Sequence, residues 1–358
     1  MNKILFGGSF DPVHLGHINM AEQASKQLDA DVIFLLSKVA VWKTDATDVS
    51  HRIEMLKLAF NGNPRFSIDL YEVNKGEDQN YSIDTVRYFV NKYPNDKFYY
   101  LIGTDHVNAF HKWKDAEELA KLANIIFFAR PDYILDSENI HKFHMQQIEG
   151  CPKEISSTDI RSLKSLEVDE AVLDYIMLKE LYFVPKIRSF IDTKRYVHSC
   201  NVADLAYKIA KSNKLERPDK AYIAGLLHDI GKRKENEKTI MVEHYKEFID
   251  YPEPIKHQFI GEYLAKEEFK VVDKDILEAI KYHTTGNENM CTLAKIIYAA
   301  DKIEPGRGYD SSEYIKAMME DINNGFITVL KANIEFFNDK GINYQNPLTS
   351  KCIKHYLG

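Results

Sequence analysis

Gly7-Gly8-Ser9-Phe10-Asp11-Pro12-Val13-His14-Leu15-Gly16-His17 follows directly on the short apolar run Lys3–Phe6. An apolar run, paired glycines and then a stretch of helical periodicity predict strand, tight turn and helix. Glycines at such a turn let the backbone approach a ligand closely, and the N–H groups that open the helix attract phosphate. His14 and His17 add two imidazoles to the same turn, where a triphosphate would lie.

Working outward, Asp31–Leu36, Phe66–Asp69, Phe98–Gly103 and Asn124–Ala129 read as further strands. Between them, His17–Leu28, Ser50–Phe60, Ser82–Tyr93 and Ala116–Ala123 read as helices. This alternation predicts an α/β Rossmann-like domain, a parallel doubly wound sheet. Beyond about Pro185 the texture changes. Ile191–Ser212, Lys220–His228, His257–Glu268, Lys274–His283 and Thr292–Asp301 repeat apolar residues at helical spacing, which predicts an all-α domain. The expected domains are 1–185 and 186–358, with Tyr314–Asn324 and Gly325–Asn338 as tail helices packed on the second core.

A chain of 358 residues is long enough for two such cores. Its net charge of -7 argues against nucleic acid or anionic membrane as a partner, since both require a basic field. Cys151, Cys200, Cys291 and Cys352 are widely spaced, with no CxxC pair, so neither a zinc knuckle nor a disulfide framework is expected. With no signal-like leader and no long apolar stretch, a cytoplasmic location is expected.

His14-Leu15-Gly16-His17 resembles the HxGH signature of the nucleotidyltransferase superfamily, and Ile155-Ser156-Ser157-Thr158-Asp159-Ile160-Arg161 resembles its ISSTxIR motif. The resemblance implies AMP or CMP transfer from a triphosphate without a covalent enzyme intermediate, catalysed mainly by positioning and electrostatics. His14 and His17 would stabilise charge on the transferred phosphoryl group and on pyrophosphate. Gly7, Gly8, Ser9 and Phe10 would form the turn around ATP, and Mg²⁺ would accompany it. Ser157 or Thr158 would cap a helix facing the phosphates, and Arg161 would hold them.

Within that superfamily, Asn80-Tyr81-Ser82-Ile83-Asp84-Thr85, Gly103-Thr104-Asp105, Trp113 and Phe128-Ala129-Arg130-Pro131 resemble nicotinate-nucleotide adenylyltransferase. This implies Trp113 stacked on the pyridine ring of nicotinate mononucleotide, with Thr85, Gly103, Asp105 and Arg130 around the nucleotides. Arg52, in Ser50-His51-Arg52, would support structure. The chain departs from that family at Val39-Ala40-Val41-Trp42-Lys43, where a proline-rich loop is usual and Lys43 would supply the basic contact. Pantetheine-phosphate adenylyltransferase is the nearest rival.

In the second half, His228-Asp229 ends the apolar run Ala221–Leu227 and should point into a core. A buried ionised Asp beside a His requires a compensating cation, which a metal would supply. His198, His257, His283 and Asp301 lie on other predicted helices. A set of imidazoles and carboxylates without thiolates suits iron, manganese or another N/O-coordinated divalent ion better than structural zinc. His244 fits no pattern and should lie at the surface.

The order His, His-Asp, His, His, Asp resembles the HD-domain phosphohydrolases. Tyr282-His283-Thr284-Thr285-Gly286 and Ala300-Asp301-Lys302-Ile303-Glu304-Pro305-Gly306-Arg307 resemble the YqeK-type HD family. That likeness implies two divalent metals, with iron first and Mn²⁺ as the alternative, held by His198, His228, Asp229, His257, His283 and Asp301. Asp229 would bridge them, with symmetrical hydrolysis of diadenosine tetraphosphate to two ADP. Lys232 and Arg307 would bind the polyphosphate. The expectation is a bifunctional enzyme taking ATP, nicotinate mononucleotide and diadenosine tetraphosphate. The HD half has two alternatives, a different nucleotide phosphohydrolase or a non-catalytic polyphosphate sensor. The sequence predicts no oligomeric state.

Overall fold

A computed structural model describes residues 1–37, 46–75, 80–129, 133–150, 153–232, 237–344 and 346–358. The chain divides into two compact units, Met1–Ile160 with Glu167–Lys179, and Arg161–Leu166 with Glu180–Gly358. The division thus falls six residues before the expected 185/186, with one short segment exchanged. Local bonds account for that exchange. Leu15 N–H donates to the Glu167 carbonyl at 3.1 Å and His51 Nδ1 lies 2.8 Å from the Tyr175 hydroxyl, within the first unit. Leu166 N–H instead donates to Asp219 Oδ2 at 3.2 Å, within the second. Among the described residues no helix is long and apolar enough to cross a membrane.

The first unit is built on six parallel strands: β1 Asn2–Gly8, β2 Asp31–Leu36, β3 Phe66–Asp69, β4 Lys97–Ile102, β5 Asn124–Phe128 and β6 Gln146–Ile148. Their order is β3-β2-β1-β4-β5-β6, with β1 pairing to β2 from Lys3↔Asp31 and to β4 from Asn2↔Lys97. Helices on both faces bury a parallel sheet completely, which is why Val-Ile-Phe-Leu-Leu in β2 is continuous rather than alternating. Strand order reverses between β1 and β4, leaving a crevice beyond their carboxyl ends. β6 escapes sequence reading because Gln146 and Gln147 give a three-residue edge strand no apolar pattern.

The second unit is helical. Helices Thr193–Ser212, Asp219–Leu227, Glu253–Glu267, Lys274–Tyr282 and Thr292–Ile303 form its core. A Cβ on Gly225 would sit 2.5 Å from Ala203 Cα, so only glycine lets the second of these helices cross the first so closely. The tail packs on this core through Phe326, edge-on to Tyr298 at 5.3 Å and to Tyr356 at 5.0 Å. It forms helices Ser312–Glu320, Ile322–Asp339 and Pro347–Leu357. The break expected at Asn324 falls instead at Asp321, whose carboxylate caps Asn324 N–H.

Candidate active sites

At the reversal of strand order lies a cavity of about 370 Å³. Phe6, Gly7 and Gly8 from β1 line one wall; Tyr100, Leu101, Ile102 and Gly103, from and just beyond β4, line another. His14 and His17 enter from the helix Leu15–Leu28. His14 is the N-cap of that helix, and the two imidazoles form a reciprocal capping box. His17 N–H donates to His14 Nδ1, and His14 N–H donates to His17 Nδ1, each at 3.3 Å. The rings stack with centroids 3.6 Å apart. Because each Nδ1 accepts a hydrogen bond, each neutral ring carries its proton on Nε2, giving two N–H donors for phosphate oxygens.

Burial reinforces that protonation state. It lowers the His14 pKa to about 4, and it holds His17 well below the ordinary value with His14 adding to the effect. The imidazoles therefore act as neutral donors. Adenylyl transfer is expected to show no loss of kcat between pH 7 and 8.5. A fall through this range in a steady-state profile at saturating substrate would mean that a protonated imidazole is required.

The structure sorts the remaining sequence-derived candidates. Gly7, Gly8, Gly103, Asp105 and Trp113 line the cavity. Trp113 stands edge-on to Tyr100 at 6.1 Å and to His106 at 5.5 Å. Ser9 lies outside the lining, its carbonyl receiving Arg52 Nη1 at 3.0 Å, and the same nitrogen reaches the Ser37 carbonyl at 3.0 Å. Arg52 thus holds the loop, as its sequence context suggested.

Phe10 is 1% exposed and packs edge-on against His17 at 5.1 Å, so it buttresses that ring rather than facing the cavity. Thr85, also 1% exposed, donates to Glu72 Oε1 at 2.9 Å. It stands behind the wall and fixes Glu72, which does line the cavity. Burial raises the Glu72 pKa, with the Thr85 bond opposing it. Sequence reading missed Glu72 because it lies on a four-residue helix, Tyr71–Asn74, with no motif around it.

Ser157 and Thr158 do not cap their helix, Ser157–Arg161. Ser156 Oγ accepts from Thr158 N–H at 3.1 Å, whereas Ser157 Oγ donates to the Pro12 carbonyl at 2.9 Å and ties the two motifs together. Ser157, Thr158 and Arg161 are absent from the cavity lining among the described residues, and Arg161 groups with the second unit. Lys43 and Arg130 lie outside the described residues.

In the second unit, His198, His228 and Asp301 offer ligand atoms within 4.8 Å of one another, as do His228, Asp229 and His283. His257 Nε2 is 3.0 Å from His283 Nε2 and 3.5 Å from Asp229 Oδ1, which joins it to the second group. Three of the rings are oriented alike, each with Nδ1 on a carbonyl three residues earlier. These are His228 on Gly225 at 2.7 Å, His257 on Pro254 at 2.8 Å and His283 on Ile280 at 2.7 Å. His198 Nδ1 instead meets Glu304 Oε1 at 3.0 Å, and Glu304 also accepts from Asn201 Nδ2 at 3.1 Å. Every Nε2 lone pair is thereby turned inward, the arrangement that fixes the tautomer of metal-binding histidines.

The cluster fits a divalent cation. Among the described residues, His228 Nε2 and Asp229 Oδ1 are buried without a hydrogen-bond partner, a cost that a cation would offset. Burial would raise the Asp229 and Asp301 carboxyls, but the His228 charge, a hydrogen bond from His283 and the Lys232 charge outweigh it at the first, and the Lys302 charge with hydrogen bonds from His198 and His228 outweighs it at the second. Both are held well below the ordinary range. Burial keeps His257 and His283 neutral. His228 behaves oppositely: burial disfavours its charge, yet Asp229 and Asp301 hold its pKa up. Two ionised carboxylates and four imidazoles, two of them held neutral by burial, form an N/O set suited to a divalent cation. The described cysteines, Cys200, Cys291 and Cys352, are free thiols outside the cluster.

Lys232 Nζ lies 2.7 Å from Asp229 Oδ2. Arg307 Nε donates to the Asp301 carbonyl at 2.7 Å, and its Nη2 contacts Asp301 Oδ1. His244 is at the surface beside Glu243, as expected. The turn Ile230–Lys232 packs on Glu253–Glu267 so closely that a Cβ on Gly231 would lie 2.2 Å from the His257 carbonyl. Gly231→Ala is therefore expected to cost roughly 1–3 kcal/mol and, by displacing His257, to lower metal content. Denaturant unfolding with metal analysis checks this; unchanged stability would refute the close approach.

Residues 5–163 match the cytidylyltransferase-like family, and residues 195–306 match the HD domain. The Mycoplasma genitalium protein named "Probable nicotinate-nucleotide adenylyltransferase/Ap4A hydrolase" is 30% identical over 341 residues, covering 92% of this chain and 96% of its own length. The Bacillus subtilis nicotinate-nucleotide adenylyltransferase is 39% identical over 141 residues, 38% of this chain and 74% of that protein. A solved Clostridium acetobutylicum structure, a "predicted HD superfamily hydrolase involved in NAD metabolism", is 35% identical, with 48% of this chain and 96% of that chain covered at a TM-score of 0.42. Fold and sites define a nucleotidyltransferase joined to an HD-domain hydrolase. The chain belongs to the family of nicotinate-nucleotide adenylyltransferase/HD-hydrolase fusion proteins.

Proposed function

We propose that the first unit transfers AMP from ATP to nicotinate mononucleotide, giving deamido-NAD and pyrophosphate, and that the second hydrolyses diadenosine tetraphosphate to two ADP. The names of the fusion relatives support both substrates, the name of the Bacillus subtilis relative supports the first, and the cysteine usage supports a cytoplasmic setting. The observation that carries the first reading is the pair of Nε2–H donors at the reversal of strand order. A phosphate oxygen of the mononucleotide bonds to the α-phosphorus of ATP while the bond to the pyrophosphate oxygen breaks, its electron pair leaving with pyrophosphate. His14 and His17 donate to the oxygens where charge accumulates. Trp113 stacks on the pyridine ring, and Gly7, Gly8, Gly103 and Asp105 border the nucleotides. Mg²⁺ enters with ATP. Arg161, Lys43 and Arg130 are assigned to phosphate by charge alone.

In the second reaction a water oxygen bonds to one of the two central phosphorus atoms. The bond to the bridging oxygen breaks, and the second ADP departs with that oxygen. His198, His228, Asp229, His257, His283 and Asp301 hold two divalent cations, iron or in its place manganese. Bound there, such ions lower the pKa of water and neutralise phosphoryl charge. Lys232 and Arg307, already beside the ligand carboxylates, turn to the phosphate chain. The test is product analysis with purified protein and added iron or manganese. ADP alone supports the reading; AMP plus ATP, or no turnover with either metal, rejects it. In the first unit, nicotinate mononucleotide should be preferred over nicotinamide mononucleotide and phosphopantetheine by at least tenfold, and equal use would reject that acceptor.

A further inference from the structure

A second cavity, of about 380 Å³, lies beside the ligand cluster of the HD unit, with Arg188, Phe190, Asp192, Arg195 and Lys232 in its wall. We propose that it binds the phosphate chain of a nucleoside polyphosphate, seating the part of the substrate that lies away from the bond being cut. This rests on the hydrolase reading for the identity of the substrate, and on the cavity itself for the site.

Lys232 belongs to both places. It lines the cavity, and its Nζ is 2.7 Å from Asp229 Oδ2, so an anion in the cavity and one at the cluster meet at the same ammonium. Arg195 lies three residues before His198 on the helix Thr193–Ser212 and therefore on the same face, about one 5 Å turn away. Its Nε donates to Asp192 Oδ2 at 3.2 Å, and among the described residues its terminal amino groups have no partner. Arg188 pairs with Glu180, and its guanidinium lies 5.2 Å from the Tyr196 ring centroid.

The wall brings together three cationic side chains and Asp192, and Glu180 and Asp229 partner Arg188 and Lys232. A chain of phosphates running away from the cluster would meet Lys232 first and the two guanidinium forks next, and such forks match phosphate oxygens in pairs. The volume falls within the ~300–1,000 Å³ of small-molecule sites. Phe190, whose ring packs 5.6 Å from Phe269, adds an apolar wall against which a sugar or base can lie.

The test uses the full-length protein loaded with manganese and titrated calorimetrically with ADP. Wild type should bind ADP. Arg195→Ala should weaken binding at least tenfold, Arg195→Lys should fall between, and Arg188→Ala should weaken it too, all with the wild-type manganese content that shows an intact ligand cluster. Wild-type affinity in both alanine variants would overturn the proposal. Arginine-dependent ADP binding without hydrolysis of diadenosine tetraphosphate would uphold the site and reject that substrate. Loss of manganese from Arg195→Ala would overturn the assignment by showing that Arg195 serves the cluster instead.

Discussion

Asp229→Ala is expected to reduce hydrolysis by the HD unit to below about one thousandth of wild type, the scale on which removal of a preorganised charge at a reacting centre acts. The reason is geometric. Asp229 Oδ1 lies within 3.5 Å of both His228 and His257 and 3.6 Å of His283, so it is the atom common to one side of the ligand cluster. The same substitution carries a stability signature. Without metal, Asp229 is a buried carboxylate with one oxygen unpartnered, and its removal releases Lys232, which is 30% exposed and can reach water. Wild type should gain about 2.7 kcal/mol at a metal concentration a hundred times the dissociation constant, and the variant should gain far less. Thermal unfolding with and without manganese reads both quantities; equal metal stabilisation of the two proteins would remove Asp229 from the ligand set.

His14→Ala is expected to lower kcat for adenylyl transfer by about 10²–10³ while leaving HD hydrolysis at its wild-type rate. Two losses are combined in it, a phosphate donor and the cap of the helix Leu15–Leu28, the latter costing about 1 kcal/mol. His14→Asn separates them, because asparagine is a strong N-cap residue. Restored stability with activity still depressed establishes the donor role. Recovery of activity as well would show that His14 matters only by positioning His17.

Much of this was legible in the residues. The ranges read for β2 and β3 coincide with the strands; β2 is an unbroken buried apolar run, whereas β3 is the short alternating segment Phe-Ser-Ile-Asp at the sheet edge. The helix after the glycine turn starts at Leu15, two residues before the expected His17, because histidine is not an ordinary capping residue and only the paired rings reveal the box. Gly325 suggested a break but lies inside a helix, where a Cβ would meet Met318 Cα at 2.7 Å. The His/Asp residues that the structure gathers in the HD unit could be picked out because metal-binding chemistry constrains residue type. Glu72, Phe10 and Thr85 could not be placed, since their roles depend on which neighbour each one faces.

The carbonyl anchors of the HD histidines have a consequence for the order of events. His228 and His283 each follow the last residue of a helix, and Asp301 lies in the final turn of a third. Three helices therefore end at one point with the negative ends of their dipoles converging there, beside two ionised carboxylates. Such a point draws cations. The second unit should accordingly be filled in sequence, cations first and phosphate chain after.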